Sequence, residues 1–158
     1  MTNPNGKHSV TPYVAAKGAE RFLAFVEATF ATEPAQKVFN PDGTIGHSEV
    51  RIGDSVVMAF DADPQWPDMP ALLSVYVDDV DAVFARAVEA GATVVTELFA
   101  SRIVGDRGGR LRDPVGNVWW VQTHVSAPDV SAFEDPEELA IMRTAQRSFA
   151  DEMGRRTV

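Results

Sequence analysis

The chain has 158 residues, 45% apolar and 23% charged, an ordinary composition for one domain, and no cysteine, which excludes a disulfide framework, a thiolate metal site and a thiol nucleophile. A net charge of -9 with scattered Lys and Arg argues against nucleic-acid binding by counterion release, and no run reaches the roughly 20 apolar positions of a membrane span. With no apolar leader in Met1-Thr-Asn-Pro-Asn-Gly-Lys-His8, a cytoplasmic protein with neither nucleic-acid nor membrane partners is expected.

In chain order, residues 1–8 read as a tail and Val10-Thr-Pro-Tyr-Val-Ala-Ala16 as a first strand. A helix follows over residues 18–30, because Phe22, Phe25, Val26 and Phe30 make an apolar stripe at helical spacing. Of three strands expected next, the last two are 47–52 and 55–60, around a Gly53-Asp54 turn. The stretch 61–70 carries three prolines, which neither a helix nor a central strand tolerates, so the linker lies here. Residues 72–77 open the second half. Asp78-Asp79 caps a helix with Val80, Val83, Phe84, Ala87 and Val88 inward, and Gly91 ends it. Strands at 109–112 and 117–123 follow, joined by Asp113-Pro-Val-Gly-Asn. Asp135 as N-cap, Pro136 at N1 and Glu138 at N3 start a last helix, whose Leu139, Met142, Phe149 and Met153 are expected to dock.

The two halves are copies of one unit. A shift of about 62 residues lays Phe22, Val26, Glu27 and Ala28 on Phe84, Val88, Glu89 and Ala90, and lays Val56 and Met58 on Val118 and Trp120. The fold class is therefore α+β: two βαβββ modules forming cupped mixed sheets, plus a C-terminal helix. The first module spans 9–62, the linker 63–71, the second module 72–125 and a helical extension 126–158. One helix cannot cover both faces of its sheet, so the modules should combine around a common space that holds the site.

Thr11-Pro-Tyr-Val, the run from Gly46 to Met58, Val77-Asp-Asp-Val-Asp-Ala82, Gly105-Asp-Arg-Gly-Gly and Asp113-Pro-Val-Gly-Asn-Val-Trp-Trp stand in this order over residues 9–125. Together they resemble the vicinal oxygen chelate superfamily, which holds glyoxalases, bleomycin resistance proteins and extradiol dioxygenases, and within it the PhnB-like branch. The resemblance implies paired modules around a cupped sheet, usually in a homodimer. In the family's enzymes it implies one divalent metal, held by His, Gln or Glu of both modules with positions left open for a substrate's two oxygens. Those ligand positions fall here on Thr11 (or Val10), Met58, Leu72 and Trp120. A thioether or an indole does not replace a carboxylate on a hard ion, so neither metal nor other cofactor is expected, and fold alone does not carry the activity over.

Strand parity groups Met58 with Val56 and Phe60, Leu72 with Ser74 and Tyr76, and Trp120 with Val118 and Gln122. Apolar and aromatic positions with a few polar tips suit the wall of a small-molecule pocket, and equally suit a filled core. Arg107, in a glycine-rich stretch read as a mobile hairpin loop, is a candidate clasp for an anionic group. His47, Glu49 and Arg51 share one strand face. His47 and Glu49 are the catalytic candidates, as an acid–base pair or, with His124, as ligands of a displaced metal, against the plain alternative of a polar rim. Trp119, of opposite parity to Trp120, is expected beneath the helices. The expectation is a homodimer that binds a small, partly apolar or aromatic molecule between its modules. A lyase, isomerase or dioxygenase of the same superfamily, and a ligand-free scaffold, are the alternatives.

Overall fold

The computed structural model describes residues 6–156, so residues 1–5 of the expected tail, and the last two of the extension, lie outside the described residues. Strand β1 (Tyr13–Ala16) begins only after Pro12, later than the sequence suggests. Pro12 has no N–H to give a ladder, and the Thr11 hydroxyl donates to His8 O at 2.9 Å, turning the chain before the strand starts. Helix α1 (Ala19–Phe30) opens on Gly18, whose φ of 105° suits glycine. Its cap comes from far along the chain. The Asp61 carboxylate accepts from Ala19 N and, through its other oxygen, from Ile45 N, both at 2.7 Å.

Strands β2 (Gln36–Phe39), β3 (Ile45–Ile52) and β4 (Ser55–Asp61) complete a first sheet of order β1-β4-β3-β2, with β1 parallel to β4 and the other pairs antiparallel. The second sheet repeats this plan with β5 (Leu72–Tyr76), β6 (Thr93–Ser101), β7 (Asp106–Arg112) and β8 (Val118–His124), in the order β5-β8-β7-β6. Its helix α2 (Val80–Glu89) is capped by Asp79, whose carboxylate accepts from Ala82 N at 3.0 Å. A 3-10 turn at Val130–Glu134 leads to α3 (Pro136–Gly154), capped by Asp135 with Pro136 in its first turn. The expected α+β class, two βαβββ modules with mixed sheets and a C-terminal helix, is the observed one.

The stretch read as a mobile loop around Arg107 is β7 instead. A Cβ on Gly108 would lie 2.6 Å from Val121 O, and one on Gly109 2.8 Å from the Phe84 ring. These glycines serve the close approach of β8 and α2, not flexibility.

The helix-bearing faces of both sheets converge on one core. It holds Val14, Val50, Val57 and Ala59 of the first sheet, Leu111, Trp119 and Val121 of the second, and the buried stripes of α1 and α2. Trp119, 1% exposed, packs as expected beneath the helices, but against the helix of the other module. Its ring centroid lies 6.1, 6.2 and 5.3 Å from those of Phe22, Phe25 and Phe30 of α1. Its indole N–H donates to Asp113 at 3.0 Å, so nothing polar is stranded. Within one chain the common space expected between the modules is thus largely filled core, and the other face of each sheet lies on the outside.

Helix α3 lies on the outer face of the second sheet, against β6. Its most buried positions are Glu138, Ala145 and Glu152, spaced by seven residues, while Leu139, Met142, Phe149 and Met153 are only half-buried. The expected apolar stripe is therefore displaced by one residue, because Arg102, just after β6, and Arg112 of β7 recruit the two glutamates. Glu138 accepts from Ser101 and from the backbone and guanidinium of Arg102, and Glu152 from Arg112 and Arg156.

Candidate functional site

Two outer faces and one cleft carry the candidate chemistry. On the first sheet, pairing places Tyr13 and Glu49 on either side of Met58, so that His47, Glu49, Met58 and Phe60 share one surface with Tyr13. The Glu49 Oε1 atom lies 3.0 Å from His47 Nε2 and also accepts from Lys7, and His47 Nδ1 lies 3.2 Å from Tyr13 Oη. The Lys7 ammonium first, and His47 second, hold the Glu49 carboxyl below the usual carboxylate range. Edge-on contacts run from Tyr13 to Phe60 (5.1 Å) and from Phe60 to Trp66 of the linker (6.2 Å). Tyr13 is 51% exposed and Trp66 48%.

On the second sheet, Leu72, Ser74, Tyr76, Trp120 and Gln122 share the outer face. Gln122 donates to Ser74 Oγ at 2.7 Å, which satisfies a side chain that is otherwise buried. Trp120 lies under the Arg110 guanidinium, 4.4 Å from its ring centroid, and Phe149 of α3 closes the stack from 5.1 Å. Arg110 also donates to Thr96 Oγ1 and to Ala145 O of α3, and burial pulls its pKa down. The Trp120 side of this face is covered, whereas Leu72 and Tyr76 at the β5 edge are exposed.

Arg107 belongs to neither surface. Directly beside Thr123 in the β7–β8 ladder, it shares the helix-bearing face and forks the Asp81 carboxylate at the start of α2, at 2.8 and 2.6 Å. The anion clasp foreseen for it is taken by its own chain. His124 is likewise apart from His47 and Glu49: its Nδ1 lies 2.8 Å from Asp106, which also accepts from Tyr76 at 3.0 Å. Tyr13, Lys7, Trp66 and Arg110 were not foreseen. Parity would have found Tyr13, which shares β1 with the quoted Thr11-Pro-Tyr-Val motif, but pairings across strands and with the linker are invisible along the chain.

The divalent ion implied by the resemblance does not fit these residues. The positions it assigns to the ligands, Thr11 (or Val10), Met58, Leu72 and Trp120, carry a hydroxyl or alkyl group, a thioether, an alkyl group and an indole where carboxylate, amide or imidazole donors would be needed. Among the described residues no three His, Asp or Glu side chains are grouped to hold a metal. Among them, too, no helix is long and apolar enough to cross a membrane.

At the seam of the modules, the β3–β4 hairpin and the segment before β1 face the free edge of β5. A cleft of about 660 Å³ lies there; Val10, Val56, Leu73 and Val75 belong to its apolar wall, and His8, Asp54, Ser55, Ser74 and Tyr76 are its polar members.

Known proteins resemble the chain over most of its length. The family model described as Glyoxalase/Bleomycin resistance protein/Dioxygenase superfamily matches residues 8–121, which leaves α3 outside it. The uncharacterized protein Rv0887c of Mycobacterium tuberculosis is 33% identical over 126 residues, 73% of this chain and 74% of that protein. Among solved structures, TioX from Micromonospora sp. ML1 is similar with a TM-score of 0.57 and 22% identity, covering 77% of this chain and all of TioX. The PhnB protein from Bacillus cereus is similar with a TM-score of 0.52 and 17% identity, covering 73% of this chain and 99% of that one. At these identities the solved structures speak for the fold, and with the family model they lead to one assignment: the chain belongs to the glyoxalase/bleomycin resistance protein/dioxygenase superfamily.

Proposed function

We propose that the protein binds a small, partly apolar or aromatic molecule between its modules, without a metal and as a binding protein rather than an enzyme. The observation that carries this reading is the seam cleft. Its 660 Å³ falls in the range of small-molecule sites, and its wall is apolar with a few polar groups to orient a ligand. Trp119 is part of that wall, so occupancy should quench or shift tryptophan emission. A screen of small aromatic compounds read by fluorescence tests the reading. Ser74→Leu, which fills the cleft from its polar side, should abolish the response, and an unchanged response in that variant would sink the idea. About one metal ion per chain, lost together with binding on chelation, would contradict the metal-free part.

The free edges of β1 and β5 and the exposed Val38, Phe39, Leu72 and Tyr76 support a homodimer, since a monomer of this size rarely leaves such apolar area bare. Light scattering at micromolar concentration should give twice the 17.2 kDa chain mass, and a monomer mass would contradict it.

A further inference from the structure

We propose that the junction of the linker, the β7–β8 turn and the end of α3 is a second binding site, which takes small aromatic carboxylates and holds their charge with Lys17 and Arg156. It lies mainly beyond the ends of the strands. Lys17 follows the last residue of β1, Ala62 follows the last of β4, and Gly116 and Asn117 lead into β8. With the linker they enclose a cavity of about 300 Å³, at the small end of the range for ligand sites. The linker is fixed at both ends. Asp63 turns it, accepting from Gln65 N at 2.7 Å through its carboxylate and from Trp66 N at 3.0 Å through its carbonyl. At the far end the buried Asn117 accepts from Ala71 N at 2.9 Å. Pro67 and Pro70 restrict the chain between these points, and the half-exposed Trp66 and Met69 line the cavity. An indole and a thioether left open side by side offer a surface for a flat ring.

Charge sets the rest of the ligand's character. Glu152 is shared by Arg112 and Arg156, and Asp68 pairs with Lys17 at 2.8 Å, so three cations meet two carboxylates in a chain whose net charge is -9. The nearby Asp61 and Asp113 spend their oxygens on backbone amides and on Asn117 and Trp119, while Arg21 adds a further cation at Pro114 O. Arg156 gives Nε–H and one Nη2 hydrogen to Glu152 and one Nη1 hydrogen to Gly116 O, which leaves two of its five donors. Lys17 and Asp68 are both exposed, and a pair of this kind is weak enough for the lysine to change partner. A ligand carboxylate supplies the missing negative charge and accepts from both cations, with its ring on Trp66 and Met69. A neutral amide of the same shape keeps the ring and brings no charge.

Equilibrium dialysis of 2-naphthoate against 2-naphthamide at neutral pH tests this. The natural sequence should hold the naphthoate about tenfold more tightly, in line with one charge-assisted hydrogen bond. Lys17→Gln should lower that ratio, and Lys17→Gln together with Arg156→Gln should bring it to about one. Asp68→Asn should raise it roughly threefold, because the carboxylate that competes for Lys17 is gone. A purely structural role for this pair would not strengthen binding, and the gain stands apart from any loosening of α3 by Arg156→Gln. Trp66→Ala should weaken both compounds alike. Ser74→Leu, which fills the seam cleft, should leave the preference in place, so the two sites stand or fail separately. Equal affinities in the natural sequence, a preference that is lost in Ser74→Leu or survives the double variant, no gain in Asp68→Asn, or binding of neither compound would overturn the proposal.

Discussion

The outer face of the first sheet is open and aromatic, while much of the same face of the second lies under α3. Both sheets have one strand order and one plan of pairing, so the difference does not come from the fold unit. It comes from what the chain adds after the second module, in a segment beyond the residues matched by the family model. Where the first sheet sets Glu49 beside Met58, the second sets Arg110 beside Trp120. A carboxylate there draws Lys7 and His47, and a guanidinium draws a backbone carbonyl and a ring of α3. One exchange of charge at equivalent positions thus accompanies opposite fates for two copies of one surface.

The largest effect should come where the copies meet. Trp119→Ala empties the contact shared by the second sheet and α1, and should cost about 3 to 5 kcal/mol of unfolding free energy, read from urea denaturation. Next is the attachment of α3. Glu152→Ala should cost about 1.5 to 3 kcal/mol, because it strips two arginines of their hydrogen-bonded carboxylate. Amide exchange should then quicken in α3 while β3 and β4 keep their protection, and a uniform loss would erase the distinction drawn between the two faces.

The same latch has a pH dependence. Burial alone would raise the Glu152 pKa, but Arg156 and Arg112 outweigh it and bring it below its ordinary 4.5. A depressed folded value means that this contribution is present above 4.5 and is lost as the pH falls through the folded value. Acid should therefore loosen α3, and the protection of its amides relative to intrinsic exchange should lose this acid dependence in Glu152→Gln.

Trp120→Ala removes a ring stacked on Arg110 outside the shared core, so about 0.5 to 2 kcal/mol is expected, well below the Trp119 effect. Equal melting temperatures for the two variants would contradict this ranking. The smallest effect belongs to Tyr13→Phe, within about 0.5 kcal/mol of the natural sequence, since the ring contacts stay and the lost hydrogen bond to His47 is an exposed one.

The repeat, the modules and the opposite faces of Trp119 and Trp120 were legible in the sequence because each rests on a local period: about 62 residues for the copies, two for the strand faces. Three features were not. The glycines beside Arg107 read as a loop because a close approach of β8 and a phenylalanine of α2 leaves no mark in neighbouring residues. The docking stripe of α3 was placed on Leu139 and Met142 because apolar spacing cannot register arginines on another element. For His47 and Glu49, the strand face was readable, but not Tyr13 and Lys7, which turn the pair into a chain of hydrogen bonds.

The contact of Trp119 with α1 also bears on how the molecule assembles. Phe22, Phe25 and Phe30 belong to the first helix, yet the ring they surround sits in the last strand of the second module. In each sheet, moreover, the first strand pairs in parallel with the last. During synthesis neither sheet can close before its final strand emerges, and the first module must wait for the second with the Trp119 side of three phenylalanines uncovered. Non-local closure of this kind slows folding, and it makes the half-made chain, rather than the finished protein, the form most in need of protection from aggregation.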